Sequence, residues 1–176
     1  MKSDCEIIKE EHHWTSDEKI KWLGYGEWVE EVDFLVLEYL GFKACIRRVM
    51  VREPCTELEV YFGGHLCGYV QIPKDHIYFG DNDICVDCHF GLTFNYANEE
   101  HWIGFDCGHS GDIIPTIELF KKQREAAGEP DPFPIPKKFH DIALFHPVYR
   151  NISYCVEECV GIIDQLIEIN AKCQNE

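Results

Sequence analysis

The chain has 176 residues, of which 45% are hydrophobic, 13% aromatic and 27% charged, enough apolar material for one self-supporting domain and too much for a disordered chain. Lys and Arg total 16 against 32 for Asp and Glu, a formal charge of -16 at pH 7, so the surface repels phosphate backbones and argues against nucleic-acid binding. Neither a charged-then-apolar leader at Met1–Trp14 nor any apolar run near the ~18 residues of a membrane span is present, which predicts a cytoplasmic protein with no membrane partner.

Met1–Ser16 is polar and reads as a segment preceding a single α+β domain over 17–176; its Glu10-Glu11-His12-His13 run reads as solvated residues. Phe34–Leu40 and Lys43–Val49 flank Gly41 and predict a β-hairpin. Leu58–Phe62 and Leu66–Ile72, separated by Gly63-Gly64, predict a second pair of strands. A third hairpin is expected from Val86–Tyr96 and His101–Cys107 around the polar loop Ala97-Asn98-Glu99-Glu100. Thr116 is the expected cap of a short helix over Ile117–Ala127, stopped by Gly128 and Pro130, after which Pro132, Pro134 and Pro136 enforce an extended spacer or lid. Ile152, Val156, Cys159, Ile163 and Leu166 recur at helical spacing behind Asn151 or Ser153 as N-cap. The expected fold is therefore α+β, with an antiparallel sheet of about six strands covered by a C-terminal amphipathic helix and a shorter one.

Ligand-type side chains concentrate in 81–89 and 106–112. Antiparallel pairing about Asn98-Glu99 sets opposite one another residues whose numbers sum to about 197. His89 is then expected to face Gly108, and Asp87 and His89 to meet Asp106, His109 and Asp112. Imidazole and carboxylate are ligands of Zn²⁺ and other divalent ions in catalytic sites, where an open position holds an activated water. His89, Asp106, His109 and Asp112 are the catalytic and metal candidates, with Asp87 a further ligand candidate. The competing reading makes these groups turn caps or structural pairs.

Cysteines offer two rivals. Cys85-x-x-Cys88 with Cys107-x-His109 could hold a structural zinc ion, and Cys107 beside a histidine could act as a nucleophile. Cys155 and Cys159, at i and i+4, read as core packing or, alternatively, as a redox pair. His65, His76, Cys107 and Arg150 are candidates for supporting or substrate-binding roles. Trp14, Trp22, Trp28 and Trp102 read as core filling, with ligand stacking as the alternative. Without a leader, the ten cysteines are expected as reduced thiols.

The runs His65-Leu66-Cys67-Gly68-Tyr69-Val70-Gln71-Ile72-Pro73, Asp87-Cys88-His89-Phe90-Gly91-Leu92-Thr93-Phe94 and Trp102-Ile103-Gly104-Phe105-Asp106-Cys107-Gly108-His109-Ser110-Gly111-Asp112, with Tyr149-Arg150 before the last helix, resemble a family of uncharacterised bacteriophage and bacterial proteins. Its pattern reads H-x-CGYV-x-[IV]-P, VHGGLTF, GFDC-x-H-x-GD and YR. Cys88 and Phe90 depart from it, Phe90 replacing the first Gly of a Gly-Gly pair. The resemblance implies a phage association, a bacterial host cytoplasm and a site set of His89, Asp106, Cys107, His109 and Asp112 without Cys85 or Cys88; it implies no reaction. The leading expectation is a small metal-dependent hydrolase acting on a phosphate-containing small molecule or nucleotide signal, with zinc or another divalent metal. The alternative is a non-catalytic counter-defence protein that binds a host defence protein through its acidic surface or sequesters a signalling nucleotide.

Overall fold

Alternating apolar residues in the strand candidates can bury one side of each strand, and the pairing of those strands sets the architecture. The structure, a computed structural model, describes residues 4–53, 60–131, 134 and 147–173. Six strands, β1 (Cys5–Glu11), β2 (Phe34–Tyr39), β3 (Phe42–Glu53), β4 (Val60–Ile72), β5 (Phe94–Ala97) and β6 (His101–Asp106), form one antiparallel sheet in the order β1-β2-β3-β4-β6-β5. Helix α1 (Ser16–Leu23) follows β1, α2 (Pro115–Ala126) follows β6, and α3 (Ile152–Cys173) comes last. The α+β fold with a C-terminal helix and a shorter helix is as the sequence predicts, and among the described residues no helix is long and apolar enough to cross a membrane.

The register explains the core. Leu35, Leu37, Ala44, Ile46, Leu66, Val70, Ile103 and Phe105 alternate onto one face, where they meet Cys155, Cys159, Ile162, Ile163 and Leu166 of α3. Fully burying one such aliphatic side chain is worth about 1.5–3 kcal/mol, so this contact is the main stabilising layer. Asn151 caps α3 by accepting from Tyr154 N–H at 3.0 Å.

Four local expectations change. The Cys5–Glu11 stretch, expected to precede the domain, is the edge strand β1, paired with β2. Gly63-Gly64 does not end a strand: β4 runs through it at positive φ (105° and 86°), opposite a register shift between Arg48 and Met50 in β3. A side chain at 63 would put its Cβ 2.5 Å from the Val49 carbonyl oxygen, so only glycine permits this close pairing. Leu58, the expected start of that strand, lies outside the described residues, as do Pro132 and Pro136 of the proline spacer. Thr116 does not cap α2, whose first residue is Pro115; its hydroxyl instead bonds the backbone N–H and C=O of Gly63 at 3.0 and 3.1 Å.

The fourth change matters most for the site. Strand β5 is confined to Phe94–Ala97, and its pairing with β6 follows a sum of 198, so the expected register is correct to one residue while the long Val86–Tyr96 arm is not formed. Residues 73–93 instead run down α3 toward its N-terminus: His76 contacts the Leu166 carbonyl, Asp87 exchanges two bonds with Gln165, and the His89 N–H donates to Glu158. Asp, Asn and Gly at 80–83 favour turns over strand continuation.

Candidate functional site

His89, His109 and Asp112 meet at the N-terminal end of α3. His89 is delivered by the loop that descends the helix, and His109 and Asp112 by the turn after β6, in which Asp112 N–H donates to the His109 carbonyl at 3.0 Å. A bridge from Asp112 to Val148 fixes that turn to the strap leading into α3. His89 and Asp112 are only 7% and 8% exposed. One ligand atom from each of the three residues lies within 4.8 Å of the others, the one such metal-competent group among the described residues.

The Asp112 carboxylate is held from three sides. Oδ2 accepts from His89 Nε2 at 2.8 Å and from the His109 backbone N–H at 3.0 Å, and Oδ1 accepts from Arg150 Nε at 3.1 Å. The Arg150 guanidinium also lies over the Tyr154 ring, 4.8 Å from its centroid. On the far side of His89, Nδ1 is 2.9 Å from the Tyr154 hydroxyl; burial, then the nearby Glu158 carboxylate, raises the Tyr154 pKa.

The tautomer of His109 follows from its partner. Its Nδ1 lies 3.1 Å from the Asp106 carbonyl oxygen, which can only accept, so the proton is on Nδ1 and the Nε2 lone pair is free. His89 differs: its Nε2 is engaged with Asp112 Oδ2 at 2.8 Å, so it would ligate an ion only by giving up that bond and donating Nδ1–H to the Tyr154 hydroxyl. An imidazole held by a hydrogen bond at one nitrogen and open at the other is the usual support of a metal-ligating histidine. Ligand atoms of a tetrahedral zinc site are about 3.4 Å apart, given bonds near 2.1 Å, so separations that stay within 4.8 Å here would close by at most about 1.4 Å.

The other sequence candidates divide. Asp106 does not join the ligand group; it accepts from Gly108 N–H at 2.9 Å and lies 3.5 Å from His109 Nδ1, steadying that ring from behind. Burial opposes its ionisation, but bonds from Gly108 and Thr93, with His109 and His65 nearby, hold its carboxyl below the ordinary range. Asp87 is exposed and bonded through its backbone to Gln165; with Cys88, His89, Glu157, Glu158 and Gly161 it lines an open cleft of about 390 Å³ beside the cluster. His65 does border the site. A Cβ at Gly108 would sit 3.1 Å from its Nε2, and burial lowers its pKa against the pull of Asp106 and Asp112. His76 does not, being bound to α3 at Leu166, well along the helix from the cluster.

The cysteine alternatives are not assembled. Cys85 is exposed, and Cys107 packs its Sγ 3.8 Å from Cys155 Sγ rather than joining Cys88 and His109. The Cys155 contact and burial push the Cys107 thiol up, and burial pushes Cys88 to about 11, so neither is a thiolate nucleophile at neutral pH. Cys155 and Cys159 are core residues. Trp28 is also buried in the core.

Sequence reasoning missed Tyr154 and Glu158. Their signal was available: Tyr154 and Glu158 stand at i and i+4 in α3 and so share one face. It also missed Phe90 as a site residue, which takes positive φ (53°) in the turn closed by Gly91 N–H to the Cys88 carbonyl. The Phe90 ring stacks on His109 at 4.8 Å and 7°, and meets His89 edge-on at 4.9 Å. No protein-family model, curated protein or solved structure matches the chain.

Proposed function

We propose that the protein is a metal-dependent hydrolase of a phosphate-containing small molecule, with His89, His109 and Asp112 as ligands of zinc or another divalent ion. The observation that carries this reading is the pairing of two imidazoles, each bonded at Nδ1 to a fixed oxygen, with a buried carboxylate between them. Three protein ligands leave a position for water, as in catalytic rather than structural zinc sites. The carboxylates of Asp87, Glu157 and Glu158 beside the cluster favour arrival of a cation.

Held by His89, His109 and Asp112, such an ion would lower the pKa of a bound water. The water oxygen forms a bond to phosphorus, the ester P–O bond breaks, and the proton lost by water ends on the departing oxygen. Arg150 would receive the phosphate: among the described residues its hydrogen bonding runs through Nε to Asp112, and its terminal amino groups match phosphate oxygens.

Elemental analysis of the purified protein, with zinc and manganese readdition after chelation, tests the reading. About one equivalent of ion is expected. His89→Ala and His109→Ala should each remove most of it, and the double variant little more, because ligands of one ion are not additive. A folded wild-type protein that takes up neither metal would overturn the proposal, leave the cluster as a structural His–Asp–Arg clamp, and favour a non-catalytic protein that binds through its acidic surface.

A further inference from the structure

We infer that Phe90 is the specificity-determining residue of this site, stacking its outer face on a planar aromatic group borne by the phosphate ester. The inference rests on the proposed hydrolase reading and names its substrate class. Two costs attach to Phe90 in the fold. It sits third in the turn closed by Gly91 N–H to the Cys88 carbonyl, at φ 53°, a conformation that an L side chain adopts only with strain. Its side chain is also 56% exposed, so little burial offsets that strain. Strained backbone and an exposed aromatic together, on a loop that reaches a ligand cluster, are what a binding residue displays and a packing residue avoids.

The ring is already immobilised for the task. Its inner face lies nearly parallel on His109, and its edge contacts His89, so it loses little freedom when a ligand arrives. Phe90 is half exposed, and the ring contacts it makes among the described residues are with His109 and His89, so the face opposite His109 is the one left for a ligand. Arg150 reaches the same His89–Asp112 pair from the Asp112 side. A phosphate bound by an ion on His109 would lie next to the ring on which Phe90 stacks, which would bring its ester group to the side of the cluster that carries Phe90. A nucleobase and a simple aryl group share this chemistry, differing in whether a sugar separates ring from phosphate.

The test uses zinc-loaded, full-length protein and four probes: adenosine 5′-monophosphate, phenyl phosphate, ribose 5-phosphate and glycerol 1-phosphate. Binding is followed by calorimetry and hydrolysis by released phosphate. The aromatic probes should bind the wild-type protein about tenfold or more tightly than the aliphatic ones, the range expected for one stacked ring. Preference for the nucleotide over phenyl phosphate identifies a base carried on a sugar, and the reverse identifies a directly attached ring. Phe90→Gly, which relieves the turn and so preserves folding, should bring the aromatic-to-aliphatic ratio near one with metal content maintained, and Phe90→Trp should keep the ratio. A wild-type ratio near one, or a ratio that Phe90→Gly leaves intact, overturns the inference while the hydrolase reading stands. Equal losses on both probe classes assign Phe90 to shielding His109 and also overturn it. Failure of the zinc-loaded protein to bind any probe overturns both readings.

Discussion

Arg48 Nη1 donates to the Tyr149 hydroxyl at 2.9 Å, tying the middle of the sheet to the residue that precedes Arg150. The bond is part of a buried ionic network. Arg48 Nε reaches Asp33 at 2.8 Å and Nη2 reaches Glu31 at 3.0 Å, while Lys19 Nζ pairs with Asp33 at 3.0 Å. Tyr149 donates to Glu31 Oε2 at 2.6 Å, and Glu31 Oε1 accepts from Ile152 N–H at the first turn of α3. Residues 149–152 are therefore clamped on both sides of Arg150, which holds its guanidinium against Asp112.

Arg48→Met removes the charge that the buried Asp33 and the partly buried Glu31 carboxylates share. Loss of one partner from a buried ionic group costs about 3–5 kcal/mol, and Arg48→Lys should recover only part, since an ammonium cannot fork between Asp33, Glu31, Tyr149 and the Gly64 carbonyl. Urea denaturation of the two variants measures both effects, and a loss below about 1 kcal/mol in Arg48→Met would show that the network contributes little.

Ile163 is fully buried between α3 and the sheet. Ile163→Asp places a carboxylate there without a partner and should cost several kcal/mol, visible as a large fall in melting temperature. An unchanged melting curve contradicts the packing of this helix.

His101 gives stability a pH dependence. Gly80 N–H donates to its Nδ1 at 3.0 Å and its Nε2 bonds Asn95 Oδ1 at 2.8 Å, so the folded state uses the neutral ring. Burial lowers its pKa from the ordinary 6.5, against the Tyr78 carbonyl and Asp81. Above the unfolded value neither state binds the proton and the contribution is whole; as pH falls from 6.5 through the folded value, the unfolded chain takes up the proton first and the contribution is lost. The stability difference between wild type and His101→Gln should therefore be larger at pH 7.5 than at pH 5.5. A difference that grows on acidification reverses the assigned sign.

Thiol reactivity should follow burial. Cys85 and Cys173 are exposed, whereas Cys67, Cys107, Cys155 and Cys159 are buried, and burial raises Cys67 to about 12. Of the described cysteines, Cys85 and Cys173 should take up alkylating reagent first in the folded protein, and unfolding without reductant should expose all ten thiols of the chain. Recovery of eight would indicate a disulfide, with Cys107 and Cys155, 3.8 Å apart, the first pair to map.

How far the sequence reached depended on whether the signal was periodic. Helix α3 was legible because Val156, Cys159, Ile163 and Leu166 repeat at helical spacing, and the 97–100 turn because polar residues separate two apolar runs. The path of 81–93 was not, since no local period tells a loop which helix to follow. His89 thus joins His109 and Asp112, as the residue types suggested, by a route other than strand pairing. Arg48 and Lys19 look like surface cations in the sequence, and Asp33 and Glu31, which enclose them, are brought close only by the fold.

The sheet presents its apolar face to α3, which follows all six strands in the sequence. While a ribosome is still extending the chain, β2, β3, β4 and β6 exist without their cover, so that face remains an adhesive surface until the helix emerges. The nascent chain therefore carries this apolar face uncovered from the emergence of β6 until that of α3.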